Sequence, residues 1–337
     1  MGIMNYIKMS PIAGMSGYGG GATALPFSGG SIPYPWGDRG VVGGGTLSNG
    51  NLAQTCQYIN IASAGNSSDF GQLTVDRYFP GCVSDSTWAV FCGGKTDSQT
   101  DKEEMDYFTI ASASNATDFG NLAQAADGIA CTGDMTRGLM ANGTWYASGS
   151  GNQIPMTEIF YFTHGNATGG SHGSTFGNAT QARALHGACS DGIYAVFAGG
   201  SYTGTSNDII DYVTIQTTGN AQDFGDLISG RSSLSGASHA TRGVFGGGWG
   251  DTSDMEYITI ASPGNASEFG DMHVGRYRYA GMTNGSRAVW AGGNQSGSGD
   301  PHINSMEYIT IDNTGNGSDF GDLDYAKSFL QGASGNA

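Results

Sequence analysis

Charge is scarce in this chain, and positive charge scarcest of all. Only 12% of its 337 residues are charged, 13 basic against 29 acidic, for a net charge of −16. Phosphate binding needs a cationic face that releases counterions, so this deficit argues against nucleic acid and against an anionic membrane surface as partners. No apolar run approaches the length of a membrane span. The start, residues 1–8, has no charged segment followed by a long apolar one, so no secretion signal is read there. The five cysteines include no Cys-x-x-Cys spacing. Cys82 and Cys131 share a repeat position with Ala188, Gly236, Gly281 and Gly332, and read as small core residues. A nucleophile elbow, an HExxH helix and a phosphate loop are all missing, and the six histidines fall at scattered positions. These gaps predict a non-enzymatic protein with no cofactor, no metal and no catalytic residue.

What the chain has in excess is glycine, 59 residues without a Gly-X-Y period, which excludes collagen. It also repeats itself. A short apolar run ending in small residues starts at Arg39, Trp88, Arg137, Tyr194, Arg242 and Arg287. An alternating segment is centred on Tyr58, Tyr107, Ile159, Tyr212, Tyr257 and Tyr308. A turn, Gly-Asn in all but the second copy, then leads to Phe70, Phe119, Phe176, Phe224, Phe269 and Phe320. Three anchors keep one order through six copies of about 50 residues.

Each copy reads as four strands, A to D. Strand B is the glycine-ending run, strand C alternates with period two, and strand D carries Phe-Gly. Strand A brings paired small residues, such as Gly81-Cys82 and Ala280-Gly281. Small residues belong where six sheets crowd a common axis, and aromatics where the sheets splay, which is the packing of a propeller. The first copy lacks a strand A, while residues 327–334 match strand A with no strand B after them. The expectation is an all-β, six-bladed propeller over residues 39–337, sealed by 327–334 completing blade 1. Residues 1–38, rich in glycine, proline and methionine, form an extended arm outside the repeat, suited to lie on its own domain or on a neighbouring subunit.

Strand B ending in Gly-Gly, a tyrosine on strand C, an aromatic on strand D and a basic residue opening strand A together resemble the kelch motif. The match covers about residues 39–334 and departs in blade 3, with Asn142-Gly143 for Gly-Gly and Ile159 for tyrosine. The wording of Tyr308-Ile-Thr-Ile311 followed by Gly315-Asn316 and Asp319-Phe-Gly-Asp-Leu323 is similar to repeats in virion structural proteins of tailed bacteriophages, notably marine and cyanobacterial ones. That resemblance implies a protein of the particle surface, made in the host cytoplasm, as a tail or fibre component or a head decoration. Its implied partners are other virion proteins, met through the arm, a glycan or protein of the host surface, and further copies of itself.

Two groups of residues stand out as candidate sites. A basic residue opens strand A in five blades (Arg77, Arg183, Arg231, Arg276 and Lys327), with Ala126 the exception. An acid precedes the strand C aromatic in five (Asp106, Glu158, Asp211, Glu256 and Glu307), with Gln57 the exception. Fixed offsets predict a repeated structural ion pair; a basic ring at the channel mouth is the alternative. The B–C loops vary most, and carry Trp145 and Tyr146, Tyr202, Trp249 and His302 across blades 3 to 6. Aromatic platforms beside short polar residues suit a sugar ring or a protein partner, unless these loops simply pack on their neighbours. The Asn and Asp of the Gly-Asn turns offer oxygens to calcium, but also make turns by themselves. Blade 3 adds a long C–D loop with His164 and His172, too few ligands for zinc. The leading expectation is a displayed virion propeller for host attachment or particle stabilisation. The other is a propeller glycosidase or lyase acting on bacterial surface polysaccharide.

Overall fold

A computed structural model describes residues 34–96, 100–141, 143–146, 153–167, 173–250, 252–295 and 301–337. Among these residues no helix forms, and six four-stranded antiparallel sheets do. From the inside out, blade 2 comprises Gly81–Ser84, Trp88–Cys92, Glu104–Thr109 and Thr117–Asn121. Blade 3 uses Ala130–Gly133, Arg137–Ala141, Glu158–Thr163 and Ser174–Asn178. Blade 4 is built from Gly187–Ser190, Tyr194–Ala198, Ile209–Thr214 and Gln222–Asp226. Blade 5 takes Ser235–His239, Arg242–Gly246, Asp254–Thr259 and Ser267–Asp271. Ala280–Thr283, Arg287–Ala291, Ser305–Thr310 and Ser318–Asp322 make blade 6.

Blade 1 takes its inner strand from the far end of the chain. Gln331–Gly335 pairs antiparallel with Arg39–Gly43, from Gly43 opposite Gln331 to Arg39 opposite Gly335. Thr55–Asn60 and Ser68–Gln72 complete that sheet. Each inner strand neighbours the next in a closed cycle, so the sheets stand radially about one axis. Pairing the terminal strands removes the sheet edge that Arg39–Gly43 would otherwise expose.

The core lies between blades rather than within them. One apolar cluster fills each of the six interfaces, as where Val41, Cys56 and Phe70 of blade 1 meet Phe91, Phe108 and Ile110 of blade 2. Strand B opens with an arginine in four blades. Each lies over its own strand C tyrosine, Arg287 at 4.2 Å from the Tyr308 ring. The guanidinium then donates to a carbonyl of the next blade, Arg287 to Ile61 at 3.2 Å. Trp88 and Tyr194 stand in for arginine in the other two, Trp88 lying tilted against Tyr107 and Tyr194 meeting Tyr212 edge-on.

Blade 3 departs from the sequence reading in register. Ile159 pairs with Ala141 and Gly177, the place that Met105 holds opposite Cys92 and Gly120 in blade 2. Tyr161, not Ile159, is therefore the blade 3 counterpart of Tyr107. Residues Tyr161-Phe162-Thr163 repeat Tyr107-Phe108-Thr109, a signal the longer B–C loop obscured.

Strand D carries a β-bulge at the same place in all six blades, opposite the step from Met105 to Asp106 of strand C in blade 2. The extra, unpaired residue is the strand D phenylalanine, which the bulge turns into the interface core. The glycine that follows meets the next blade directly. A Cβ on Gly270 would strike the Gly315 carbonyl, and its φ of +143° is one that side-chain-bearing residues seldom adopt. Here the Gly-Asn turns act as clasps: the Asn316 side-chain oxygen accepts the Asp271 N–H at 3.0 Å, and Gly315 N–H donates to Phe269 at 2.7 Å. Asn66, Asn220 and Asn265 do the same at other interfaces.

Candidate binding face

The buried basic residues answer the ion-pair expectation in four blades. Arg77 contacts Asp106, Arg183 contacts Asp211 at 2.6 Å, Arg231 contacts Glu256, and Arg276 Nε lies 3.3 Å from Glu307. The guanidinium does more than pair. Arg276 Nη1 donates to the Gly292 carbonyl at 3.1 Å and the Ser305 carbonyl at 2.7 Å, joining the end of strand B to the start of strand C. Arg77 and Arg231 make the same two bonds, so the B–C loops of blades 2, 5 and 6 are stapled at their base. The acid reaches across to the preceding blade, Glu307 accepting the His273 N–H at 2.6 Å and Asp211 the Thr180 N–H at 2.9 Å. Burial pushes the carboxyls of Asp106, Glu256 and Glu307 above their ordinary values even beside a guanidinium, the desolvation cost of a buried pair.

Two members of the expected set do not pair. Glu158 is exposed and, among the described residues, accepts only the neighbouring Thr157 N–H, at 3.2 Å. The corrected register puts Phe160 at the acid position, so blade 3, with Ala126, lacks both halves of the pair. Lys327 finds Gln57 at its acid position and donates instead to the Thr55 carbonyl at 2.8 Å and hydroxyl at 3.3 Å. It keeps the link to the start of strand C without the carboxylate, and burial lowers its pKa to about 8.

The two ends of the axial channel differ. On the B–C side, six residues just ahead of strand A adopt left-handed backbone: Phe79, Gly128, Leu185, Ser233, Arg278 and Phe329, with φ from 56° to 62°. Their amides and carbonyls close a ring. Phe79 N–H donates to Phe329, Phe329 to Arg278, Arg278 to Ser233, Ser233 to Leu185, Leu185 to Gly128 and Gly128 back to Phe79, at 2.6–3.1 Å. One hydrogen bond per blade thus encircles the axis.

On the opposite side, hydroxyls ending strand A link blade to blade. Ser84 donates to the Ser334 carbonyl, Ser334 to Thr283, Thr283 to Ser238 and Ser238 to Ser190. Gly133 breaks the series in blade 3. Tyr34, Pro35 and Trp36 lie at this mouth: Pro35 accepts from Ser84 at 3.2 Å, Trp36 stacks on Tyr34 with ring centroids 4.3 Å apart, and Trp36 borders the channel with Pro35. These last residues of the expected arm pack on the propeller's own channel; residues 1–33 lie outside the described part. Among the described residues, those lining the channel from this side are small, apolar or hydroxylic, with no carboxylate.

The expected aromatic arc resolves into unequal members. Tyr202, on the hairpin Ser201–Tyr202 with Thr205–Ser206, is 42% exposed, and Trp249 is 51% exposed. Trp145 is half-buried, because its hairpin lays it against the blade 2–3 core cluster. The Tyr146 side chain lies outside the described residues. His302 is half-buried and fastens blade 6 to blade 1, with Nδ1 3.1 Å from the Thr46 carbonyl and Nε2 3.3 Å from the Ser328 hydroxyl. Burial lowers its pKa.

A half-buried residue that pattern reading passed over joins Trp249 on this face. The Arg278 guanidinium lies over Phe329 at 4.3 Å and over Trp249 and Tyr277 at 5.0 Å each. Aligning the position two residues after each basic opener would have shown it, since only blade 6 carries a cation there. A guanidinium lying over aromatic faces makes an amphipathic patch at the channel rim. Among the described residues no group of three or more His, Cys, Asp or Glu could hold a metal ion. The side-chain oxygens of Asn66, Asn220, Asn265 and Asn316 in the outer turns are taken by neighbouring backbone amides. Compared with known proteins, the chain matches no family model and no curated protein.

Proposed function

We propose that this chain is a non-enzymatic structural protein of a tailed-bacteriophage particle, a rigid propeller whose B–C face meets the host surface. The viral part of the reading rests on the wording of the repeat, as in Tyr308–Ile311 with Asp319–Leu323. The binding part is carried by one observation: exposed aromatics and the one cation of the ring gather on a single face, at Tyr202, Trp249 and Arg278. The glycosidase reading draws no support from the channel. Its described lining offers no acid pair for glycosidic cleavage, and one mouth is crossed by Pro35 and Trp36. Fold alone leaves function open, so the test is direct. Mass spectrometry of gradient-purified particles should find the chain at fixed stoichiometry, and a chain lacking residues 1–33 should fold yet fail to incorporate. Its absence from purified particles, or release of sugar from bacterial polysaccharide by the isolated protein, would overturn the proposal.

A further inference from the structure

Blade 3 breaks the repeat most, and its departures converge on one cleft. Having lost the staple pair, it carries Asp127 where the other blades place Tyr78, Ala184, Ser232, Tyr277 or Ser328. Asp127 forms a buried ion pair with Lys95 of the blade 2 B–C loop, 2.8 Å apart with both side chains 4% exposed. The Thr144 hydroxyl also donates to Asp127, and the Gln153 amide nitrogen lies 3.2 Å from the same carboxylate oxygen. Beside this group, between the B–C hairpins of blades 3 and 4, lies a cavity of about 200 Å³. Phe79, Leu185 and Pro155 give it an apolar wall, and Ser201 and Thr203 add hydroxyls.

The charges inside cancel, so an ionic ligand would have to break a buried pair to gain a partner. A neutral ligand that both donates and accepts, with a C–H face for the apolar wall, is what the lining matches. At ~30 Å³ per water the cavity holds roughly six waters, the bulk of one sugar ring and less than two. We propose that the cleft formed by Lys95, Asp127, Thr144 and Gln153 binds a single uncharged pyranose unit of a glycan. The proposal rests on the reading of the B–C face as the binding face, and narrows it to one subsite.

The test titrates the full chain with methyl β-galactoside, methyl β-glucoside and methyl N-acetyl-β-glucosaminide, followed by calorimetry and saturation-transfer NMR, with glucuronate as the charged control. At least one neutral glycoside should bind with a dissociation constant of roughly 1 mM, as suits so small a ligand. Gln153→Ala, a change at an exposed side chain, should weaken that binding roughly tenfold with an unchanged melting temperature. The paired change Lys95→Met with Asp127→Leu should abolish it, and Trp249→Ala should leave it alone. Failure of all three glycosides, undiminished binding by folded Gln153→Ala protein, or preference for glucuronate would each overturn the subsite. Adsorption to host cells separates the two readings. If Trp249→Ala abolishes adsorption and Gln153→Ala does not, the subsite falls and the binding face stands. If neither variant affects adsorption while the glycoside results hold, the face reading falls and the cleft remains as a sugar site.

Discussion

The amide of Phe79, in blade 2's approach to its inner strand, donates to the carbonyl of Phe329 at 3.0 Å, and their rings meet edge-on with centroids 4.4 Å apart. The contact links residues far apart in the chain and joins blade 1 to blade 2. It is one link of the hydrogen-bonded ring, so the propeller is closed twice: by the terminal strand pairing and by the ring. Both closures tie the last described segment to the first.

The ring demands left-handed backbone from residues that resist it. Five of its six members carry side chains, and such a conformation costs about 1–2 kcal/mol for a residue other than glycine. Ser233→Gly should therefore be neutral or stabilise by up to about 1 kcal/mol, because relief of strain is partly offset by greater freedom in the unfolded chain. Ser233→Val, β-branched at φ 59°, should destabilise by about 2 kcal/mol or more. Urea unfolding of the two variants would check the pair; equal effects would mean the ring is not held in this conformation.

Blade 3 shows how the staple can be dispensed with, and suggests a double-mutant cycle in blade 4. Asp211→Phe alone leaves Arg183 buried without its carboxylate and should cost about 3–5 kcal/mol. Arg183→Ala with Asp211→Phe copies the Ala126 and Phe160 arrangement, and should cost clearly less than the sum of the single changes. Additive losses would count against the paired role.

Closure, blade number and strand order were legible because three spaced anchors and a stray strand A have few other solutions. The blade 3 register was not, because Ile159 and Tyr161 both suit an alternating strand and the insertion before them hid the offset. Pairing of Lys327 could not be read either. A repeated basic position predicts a shared role, yet Lys327 shares only the link to strand C, made beside Gln57 without any acid. The hydrogen-bonded ring left almost no trace, since Phe, Gly, Leu, Ser and Arg share a conformation there and no chemistry. Exposure of the loop aromatics depends on where neighbouring blades stand. That distinction separates Trp249 from Trp145, and no single-chain pattern contains it.

Acid should weaken the fold through histidines buried without partners. Neither ring nitrogen of His164 or His186 has a hydrogen-bond partner among the described residues. Burial lowers the His164 pKa to about 4 against the opposing pull of Asp85 and Asp134, and lowers that of His186 too. The unfolded chain then binds protons that the folded one refuses. Stability is full above about pH 6.5, the unfolded value, and falls as pH drops toward 4, by about 1.4 kcal/mol per unit for each such histidine. His164→Phe, placed beside Phe162, should flatten that slope in urea midpoints taken from pH 7.5 to 4.5. A slope identical to the parent protein's would exclude His164 as a contributor.

The outer turns offer the last test, because calcium and clasp make opposite forecasts. Asn265 spends its side-chain oxygen on the Asp226 N–H at 3.1 Å, which leaves that oxygen engaged between blades. Asn265→Ala should therefore cost about 0.5–1.5 kcal/mol, the worth of one hydrogen bond, whether or not calcium is present. Gly270→Ala should cost more, about 2 kcal/mol or above, since its Cβ would press on the Gly315 carbonyl and its backbone conformation disfavours a side chain. Neither calcium nor a chelator should shift the melting temperature of the parent protein. A rise with calcium that Asn265→Ala abolishes would mean the turn oxygens serve a metal first and the neighbouring blade second.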